Sequence, residues 1–417
     1  MSRIRSNPRR VKTVRRQALL PRSVAAPLLP PIVTLGNKWY PDFIKGPYPE
    51  ISLPSAESHE LRLVFACTQR PFLGGASTEF YEMIKLFRSH GHKVLGLFLD
   101  RSQVPNWWDP DQLGNVYPLP FSSDIGAINP IVIKKLQAFN PQVVLGKNIL
   151  APTLIKKIFP NAKVIYVTSG FGYIVTEYSK LRNIRGIDDF VVHYTPEQRK
   201  SVLNDGLPCE GRTIALSDKI IFHSDTVRAF LPLLFPEAAR KGYREIIWTS
   251  NILISNQTGP PWEQRSIDLL FVASNWGRGD KGGIYMRDIC ARYRSSRCTV
   301  VGQNSSLALP NVRLYENLSR MRVLQLMGES KVLIVPSLFD ASPNIVPEAI
   351  GCGCNIVLSQ NVRNYFLCNP ALIVENLDLD RFCTKIDLAL KSPYLNPPID
   401  KTKIYKQMLN AIEEVRG

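Results

Sequence analysis

The 417-residue sequence lacks two features that would each assign it to a class of protein. No apolar stretch reaches the roughly 18 to 20 residues that a membrane-spanning helix needs, so we expect a chain that does not span a membrane. Its eight cysteines include no CxxC pair, and Cys352-Gly-Cys354 has no second pair at zinc-finger spacing. We therefore expect no metal site, reduced thiols and a cytoplasmic location.

Acidic residues are absent from the first 40 residues, which contain nine Lys or Arg residues. Prolines interrupt the apolar stretch that follows, which fits a secretory signal peptide poorly. We predict that residues 1–60 form a flexible basic tail. Peripheral contact with anionic membrane is the next interpretation, and a targeting role or nucleic-acid binding is the least favoured.

The rest of the chain has the composition of a folded protein, with 45% hydrophobic and 21% charged residues. An apolar segment at 61–68 predicts a buried strand, and a Gly-containing loop follows it. Phe80, Met83, Ile84 and Phe87 then recur at the spacing of a helix face, for which Ser77 is the candidate cap. With a second apolar segment at 93–99, this order indicates a βαβ unit and a parallel sheet.

The same alternation continues to the end of the chain and is interrupted once. We predict a first Rossmann-like domain at 61–247, a linker at 248–264 and a second Rossmann-like domain at 265–397. A final helix at 398–417 is expected to pack back on the first domain. The predicted fold is α/β, with two doubly wound sheets facing each other across a ligand cleft.

The segment 335–359 contains the first candidate site. A strand ends near Pro336, Asp340 follows it, and Glu348 lies at a helix start after seven further residues. Helix starts carry free N–H groups and partial positive charge, which attract phosphates. The candidate amide donors are those of Asn344, Ile345 and Val346. Carboxylates repel phosphate, so we expect Asp340 and Glu348 to accept hydrogen bonds from sugar hydroxyls.

The loop at 274–283 contains the second candidate site. It follows a predicted strand, is rich in glycine and contains two cations, Arg278 and Lys281. Glycine allows a close approach of the backbone to a ligand, and cationic side chains neutralise the charge that grows on a departing diphosphate. This chemistry requires no metal.

The Asp340–Glu348 segment resembles the E-x7-E signature of the retaining glycosyltransferases of family 4, which have the GT-B fold. The likeness extends over the second predicted domain and more weakly over the first, and Asp stands here at the first acidic position. It implies that Glu348 holds the donor ribose and that Asp340 touches sugar hydroxyls. It also implies that Arg278 and Lys281 neutralise the diphosphate, and that the loop from Ser342 to Val346 meets the diphosphate and sugar.

The resemblance assigns further residues to the first domain. A Gly-Gly loop after its first strand faces the donor phosphates and the acceptor, and Gly74 and Gly75 match it. Many members place a histidine after a mid-domain strand near the transferred sugar. The corresponding stretch at 167–171 has none. Either a hydroxyl such as that of Ser169 takes part there, or another residue reaches the site, or the activity is altered.

Together these residues predict a retaining hexosyltransferase that needs no metal or other cofactor. The expected donor is a UDP- or GDP-sugar, and the acceptor is a hydroxyl of a glycan, lipid or protein. Two alternatives stay open. A nucleotide-sugar epimerase of the same fold would need no acceptor, and a non-catalytic basic module would bind nucleic acid or anionic membrane with strong salt dependence.

Overall fold

The computed structural model describes most of the chain after residue 59. The described residues are 60–68, 75–100, 116–120, 130–148, 151–169, 207–254, 259–278, 281–305, 307–338, 340–363, 367–375, 377–391, 393 and 401–417. All but the last residue of the predicted basic tail, and also Gly74, lie outside these ranges. Among the described helices, none has both the length and the apolar character required to cross a membrane.

The first sheet and its helices occupy the amino-terminal half of the chain. Its strands are β1 (Arg62–Cys67), β2 (Lys93–Asp100), β3 (Val116–Pro120), β4 (Val143–Lys147), β5 (Lys163–Val167) and β6 (Lys219–Ile221). Its helices are α1 (Gly75–Ser89), α2 (Pro130–Ala138), α3 (Ala151–Ile158), α4 (Leu207–Leu216), α5 (Asp225–Leu234) and α6 (Pro236–Lys241). All strands pair in parallel, in the order β3-β2-β1-β4-β5-β6.

The second sheet repeats this arrangement. Its strands are β7 (Ile267–Asn275), β8 (Cys298–Gln303), β9 (Val312–Tyr315), β10 (Ser330–Val335), β11 (Asn355–Ser359) and β12 (Ile373–Val374). Its helices are α7 (Gly283–Arg292), α8 (Arg320–Gly328), α9 (Ile345–Gly351) and α10 (Leu379–Ala389), and α11 (Lys401–Arg416) follows. The strands are again parallel, in the order β12-β11-β10-β7-β8-β9. The predicted fold class of two doubly wound parallel sheets is confirmed.

Strand β1 shows why the strands are continuous apolar runs in the sequence. Leu63 and Phe65 belong to the hydrophobic cluster on one face of the sheet, and Val64 and Ala66 belong to the cluster on the other face. Because helices cover both faces of a parallel sheet, successive side chains are all buried. The sequence therefore shows no alternation of polar and apolar residues along this strand.

Helix α1 packs against the first sheet through the face that its periodicity predicts. Phe80, Met83, Ile84 and Phe87 are all fully buried, and burying side chains of this size stabilises the fold by about 1.5–3 kcal/mol each. The predicted capping role of Ser77 is wrong. The helix begins two residues earlier, at Gly75, and Ser77 is a fully buried residue of its first turn.

The final helix, α11, packs on the first sheet although it follows the second. Ile404, Met408 and Ile412 share one hydrophobic cluster with Phe65 of β1. The chain between the two sheets is also ordered where it is described, since Thr249–Leu253 forms a buried 3₁₀ turn. The sequence has no apolar periodicity in this segment, because such a short turn has too few residues to show one.

Candidate functional site

Each sheet has one position where the strand order reverses, and predicted site residues follow the strands at both positions. In the second sheet, β7 and β10 are neighbours from which the chain proceeds to opposite edges, and β1 and β4 have the same relationship in the first sheet. Open α/β sheets bind ligands outside the carboxyl ends of such strand pairs. Lys281 follows β7, Asp340 follows β10 and Gly75 follows β1.

The two predicted segments of the second sheet meet through an ion pair. Lys281 Nζ lies 2.6 Å from Asp340 Oδ2, and both side chains are 18% exposed. Gly282 adopts φ +69°, and a Cβ atom there would lie 2.1 Å from the Pro336 carbonyl oxygen. Glycine therefore allows the loop after β7 to pack against the end of β10. Arg278 lies on the same loop with an exposed side chain, and its carbonyl accepts a 3.2 Å hydrogen bond from the Lys281 N–H.

The loop after β10 contacts residues that precede the second sheet in the chain, among them Ser250 and Gly75. The Ser342 and Ser250 hydroxyls lie 2.8 Å apart, and the Asn344 side-chain amide donates a 2.8 Å hydrogen bond to the Gly75 carbonyl. The Ser342 N–H also points to Asp340 Oδ1, at 3.4 Å. The loop after β10 therefore lies against the start of α1 and the 3₁₀ turn at Thr249–Leu253.

The three predicted amide donors differ in their surroundings. The Val346 N–H donates to the Pro343 carbonyl at 3.2 Å, and the Val346 side chain is fully buried in the core. Asn344 and Ile345 at the start of α9 are half-buried. The Asn344 and Ile345 amides therefore stay the predicted donors to an anion.

Glu348 lies on α9 and is 6% exposed. Its Oε1 accepts a 2.9 Å hydrogen bond from Arg320 Nε, and Arg320 Nη1 lies 3.2 Å from Oε1 of Glu82 on α1. Burial raises the pKa of the Glu348 carboxyl above its ordinary value, and Arg320 opposes this shift. The sequence predicts Glu348 as a site residue but contains no signal for its two charged neighbours.

The carboxyl ends of β4, β5 and β6 hold a buried polar group that the sequence interpretation missed. Lys147 Nζ forms an ion pair with Glu79 and lies 3.3 Å from the Thr249 hydroxyl, which donates to Glu79 Oε2 at 3.1 Å. Both charged residues are 2% exposed. Burial lowers the pKa of the Lys147 ammonium group, and the nearby Cys67 opposes this shift. The sequence feature that could have indicated this group is a lysine at the end of an apolar strand.

His223 is the second missed residue, and it lies where the first sheet ends. It follows β6 and is 3% exposed, with its Nδ1 3.0 Å from the Thr168 hydroxyl at the end of β5. Burial first, and Lys147 second, hold the pKa of His223 well below its ordinary value, so the ring is neutral. The predicted site residue Ser169 directly follows Thr168 and is half-buried. The sequence feature that could have indicated this site is a polar residue two positions after a short apolar strand.

Comparison with solved structures finds the same two-sheet arrangement in glycosyltransferases. A sucrose-phosphate synthase from Thermosynechococcus elongatus has 14% identity and a TM-score of 0.54, over 85% of this chain and 95% of that one. Anabaena HepE in complex with UDP-glucose has 12% identity and a TM-score of 0.54, over 85% and 94%. WaaG, a glycosyltransferase involved in lipopolysaccharide biosynthesis, has 16% identity and a TM-score of 0.51, over 85% and 94%.

The sequence comparisons find no match, in contrast to the structural comparison. No protein-family model matches the chain, and no curated protein matches it. At identities this low, a common backbone arrangement shows the fold alone. The chemistry has to be argued from the residues of the site. The chain contains two parallel α/β sheets and aligns with these structures over most of its length. It therefore has the GT-B fold of glycosyltransferases.

Proposed function

We propose that the protein is a retaining, metal-independent hexosyltransferase that moves a sugar from a UDP- or GDP-sugar to an acceptor hydroxyl. The observation that carries this proposal is the 2.6 Å ion pair between Lys281 and Asp340. It places a cation and a carboxylate together at the switch point of the second sheet, where such sheets bind ligands. A nucleotide-diphosphate sugar needs both, because its diphosphate is anionic and its sugar carries hydroxyl donors.

Each residue of the second sheet has a role in this proposal. Lys281 and Arg278 neutralise the charge that develops on the departing diphosphate, and Asp340 accepts hydrogen bonds from the sugar hydroxyls. Glu348 holds the ribose. Preorganised charges of this kind stabilise a transition state strongly because they need not reorient during the reaction.

The first sheet supplies the acceptor side. Gly75 lies at the start of α1 within hydrogen-bond distance of Asn344, so an acceptor bound near this helix would face the donor loop. Closing the two halves would exclude water and align the acceptor hydroxyl with the donor sugar. The proposed acceptor is a hydroxyl of a glycan, lipid or protein.

The neighbouring structures support the donor class. HepE was solved with UDP-glucose and, in a second structure, with UDP and glucose. The first test is a thermal-shift screen of UDP-, GDP- and ADP-sugars on the full chain, because a ligand that binds only the native state raises its melting temperature. We expect one nucleotide to stabilise the protein. No shift with any of them would contradict the proposal.

A second experiment separates transfer from epimerisation. The stabilising donor, radiolabelled in its sugar, is incubated with the protein alone and with candidate acceptors, with and without EDTA. A transferase moves label to an acceptor or to water, whereas an epimerase leaves the label on the nucleotide. We expect transfer that EDTA does not reduce, with the anomeric configuration of the donor retained in the product.

A further inference from the structure

Arg320 is the first residue of α8 and contacts carboxylates from both halves of the chain. Its Nε donates to Glu348 Oε1 at 2.9 Å, and its Nη1 lies 3.2 Å from Glu82 Oε1 on α1. The Arg320 side chain is 19% exposed, as is that of Glu82, while that of Glu348 is 8% exposed. The guanidinium is therefore shielded between two helices that belong to different sheets.

We propose that Arg320 is a positioning residue. It holds the Glu348 carboxylate ionised and oriented toward the donor ribose, and through Glu82 it couples the donor site to α1 of the first sheet. This inference rests on the proposed function, since it assigns Glu348 to the donor. Arg320 acts through Glu348 and does not itself take part in the chemistry.

The geometry requires an arginine. Guanidinium nitrogens Nε and Nη1 are fixed in one plane, and here each donates to a different carboxylate. A lysine would supply the charge at a single point on a flexible stem. Replacing Arg320 with lysine therefore separates the electrostatic contribution from the bridging contribution.

The electrostatic part follows from the groups that surround Glu348. Burial and the nearby Glu82 both raise the pKa of the Glu348 carboxyl, and Arg320 lowers it. Cys352, one turn along α9, interacts with Glu348 as a thiol whose own pKa burial raises. Lys401 at the start of α11 lies close enough to Glu82 and Arg320 to interact with both. Arg320 is thus the cation in direct contact with the Glu348 carboxylate among the described residues.

Removing Arg320 should therefore make donor binding pH-dependent. Without the guanidinium, the Glu348 carboxyl protonates at higher pH, and a neutral carboxyl is a weaker acceptor for ribose hydroxyls. As pH falls from about 8.5 to about 6, we expect nucleotide affinity to fall more steeply in Arg320→Gln than in wild type, by at most about tenfold per pH unit because a single proton is taken up. Arg320→Lys should restore the wild-type pH profile.

The experiment measures binding of UDP or GDP, whichever stabilises wild type, by calorimetry across this pH range, together with donor KM and kcat. The matched control is Arg322→Gln on the same helix, whose partner Glu329 lies 3.7 Å away on the protein surface. Glu82→Gln keeps the Arg320–Glu348 contact, so we expect it to lower kcat and leave nucleotide affinity unchanged. Arg320→Lys should lower kcat to the same extent as Glu82→Gln does.

The outcomes distinguish this inference from the proposed function. If wild type binds neither nucleotide, the proposed function fails. If wild type binds but Arg320→Gln has the pH profile of Arg322→Gln, the positioning role fails. If Arg320→Gln does not fold, Arg320→Lys and Glu82→Gln still test the coupling of the donor site to α1. If both variants have the kcat and KM of wild type, the coupling is refuted.

Discussion

The side-chain amide of Asn344 donates a 2.8 Å hydrogen bond to the backbone carbonyl of Gly75, 269 positions earlier in the chain. Asn344 directly precedes α9 of the second sheet, and Gly75 begins α1 of the first. A Cβ atom on Gly75 would lie 2.7 Å from Asn344 Nδ2. The absence of a side chain at position 75 therefore permits this contact between the two halves of the molecule.

Gly75→Ala should displace the Asn344 amide and weaken closure without unfolding the protein. The clashing atom is the end of a flexible side chain, so we expect a small change in melting temperature. Because misplacing groups by about 1 Å can lower turnover strongly, kcat/KM should fall about tenfold or more. Asn344→Ala is the matched variant. If the clash is the cause, Gly75→Ala combined with Asn344→Ala will be no slower than Asn344→Ala alone.

Lys281→Ala should lower kcat by about 10²–10³-fold, the range for removing one preorganised charge that stabilises a transition state. Donor turnover is measured with the nucleotide sugar found in the screen, and circular dichroism checks the fold. Arg287→Ala, which removes an exposed cation from α7, is the control and should retain wild-type turnover.

Asp340→Ala should also lower kcat, and its effect should not add to that of Lys281→Ala. The two side chains are 2.6 Å apart, and residues in one contact act as a unit. If the fold-decrease in kcat of the double variant equals the product of the two single decreases, Lys281 and Asp340 act independently. That result would contradict the proposal that the ion pair forms one donor site.

Lys147→Met should destabilise the fold by about 3–5 kcal/mol, since it leaves the buried Glu79 carboxylate without its cation. Adding Glu79→Gln removes the orphaned charge and keeps an acceptor for the Thr249 hydroxyl, so we expect about 1–3 kcal/mol to be recovered. Urea unfolding of the two single variants, Lys147→Met and Glu79→Gln, and of the double variant measures this. Additive losses would mean that the ion pair contributes nothing as a pair.

Stability should fall as pH falls below about 6.5, in part through His223. Burial and Lys147 hold the native pKa of His223 well below its ordinary value, so only the unfolded chain takes up the proton. The stabilisation is complete above the unfolded pKa and is lost as pH decreases toward the native pKa. The slope reaches at most about 1.4 kcal/mol per pH unit for this one group.

His223→Asn is the test of that slope. Asparagine keeps a polar group near the Thr168 hydroxyl and does not titrate in this range. Unfolding free energies between about pH 7 and about pH 5 should depend less on pH in the variant than in wild type. Some dependence will remain, because burial and His90 also lower the pKa of His92. An unchanged slope would contradict the assignment to His223.

The fold class was predictable because its signals are local. Each buried parallel strand is a short apolar run, and the helices between them repeat apolar residues at helical spacing, as α1 does from Phe80 to Phe87. The start of α1 was predicted incorrectly, at Ser77. A serine near a helix start suits a cap, but here tertiary burial places it inside the first turn.

The candidate site was predictable only in part. The stretch from Asp340 to Glu348 and the loop containing Lys281 are each continuous in sequence, so their residue types alone indicate anion and sugar binding. Arg320 had no such signal, because its partners lie 28 and 238 positions away. His223 and Lys147 ended recognisable strands, but their burial and contacts depend on the strand order.

By itself, the sequence determined the strands, the helices and the chemical character of two loops, since hydrophobic periodicity and turn residues act over a few positions. Tertiary structure alone decided that β7 and β10 are neighbours and that Lys281 therefore meets Asp340. It also decided which residues join the two sheets, among them Arg320 with Glu82. The physical reason is that strand order and facing sheets set distances between residues that lie far apart in the chain, and no local pattern encodes those distances.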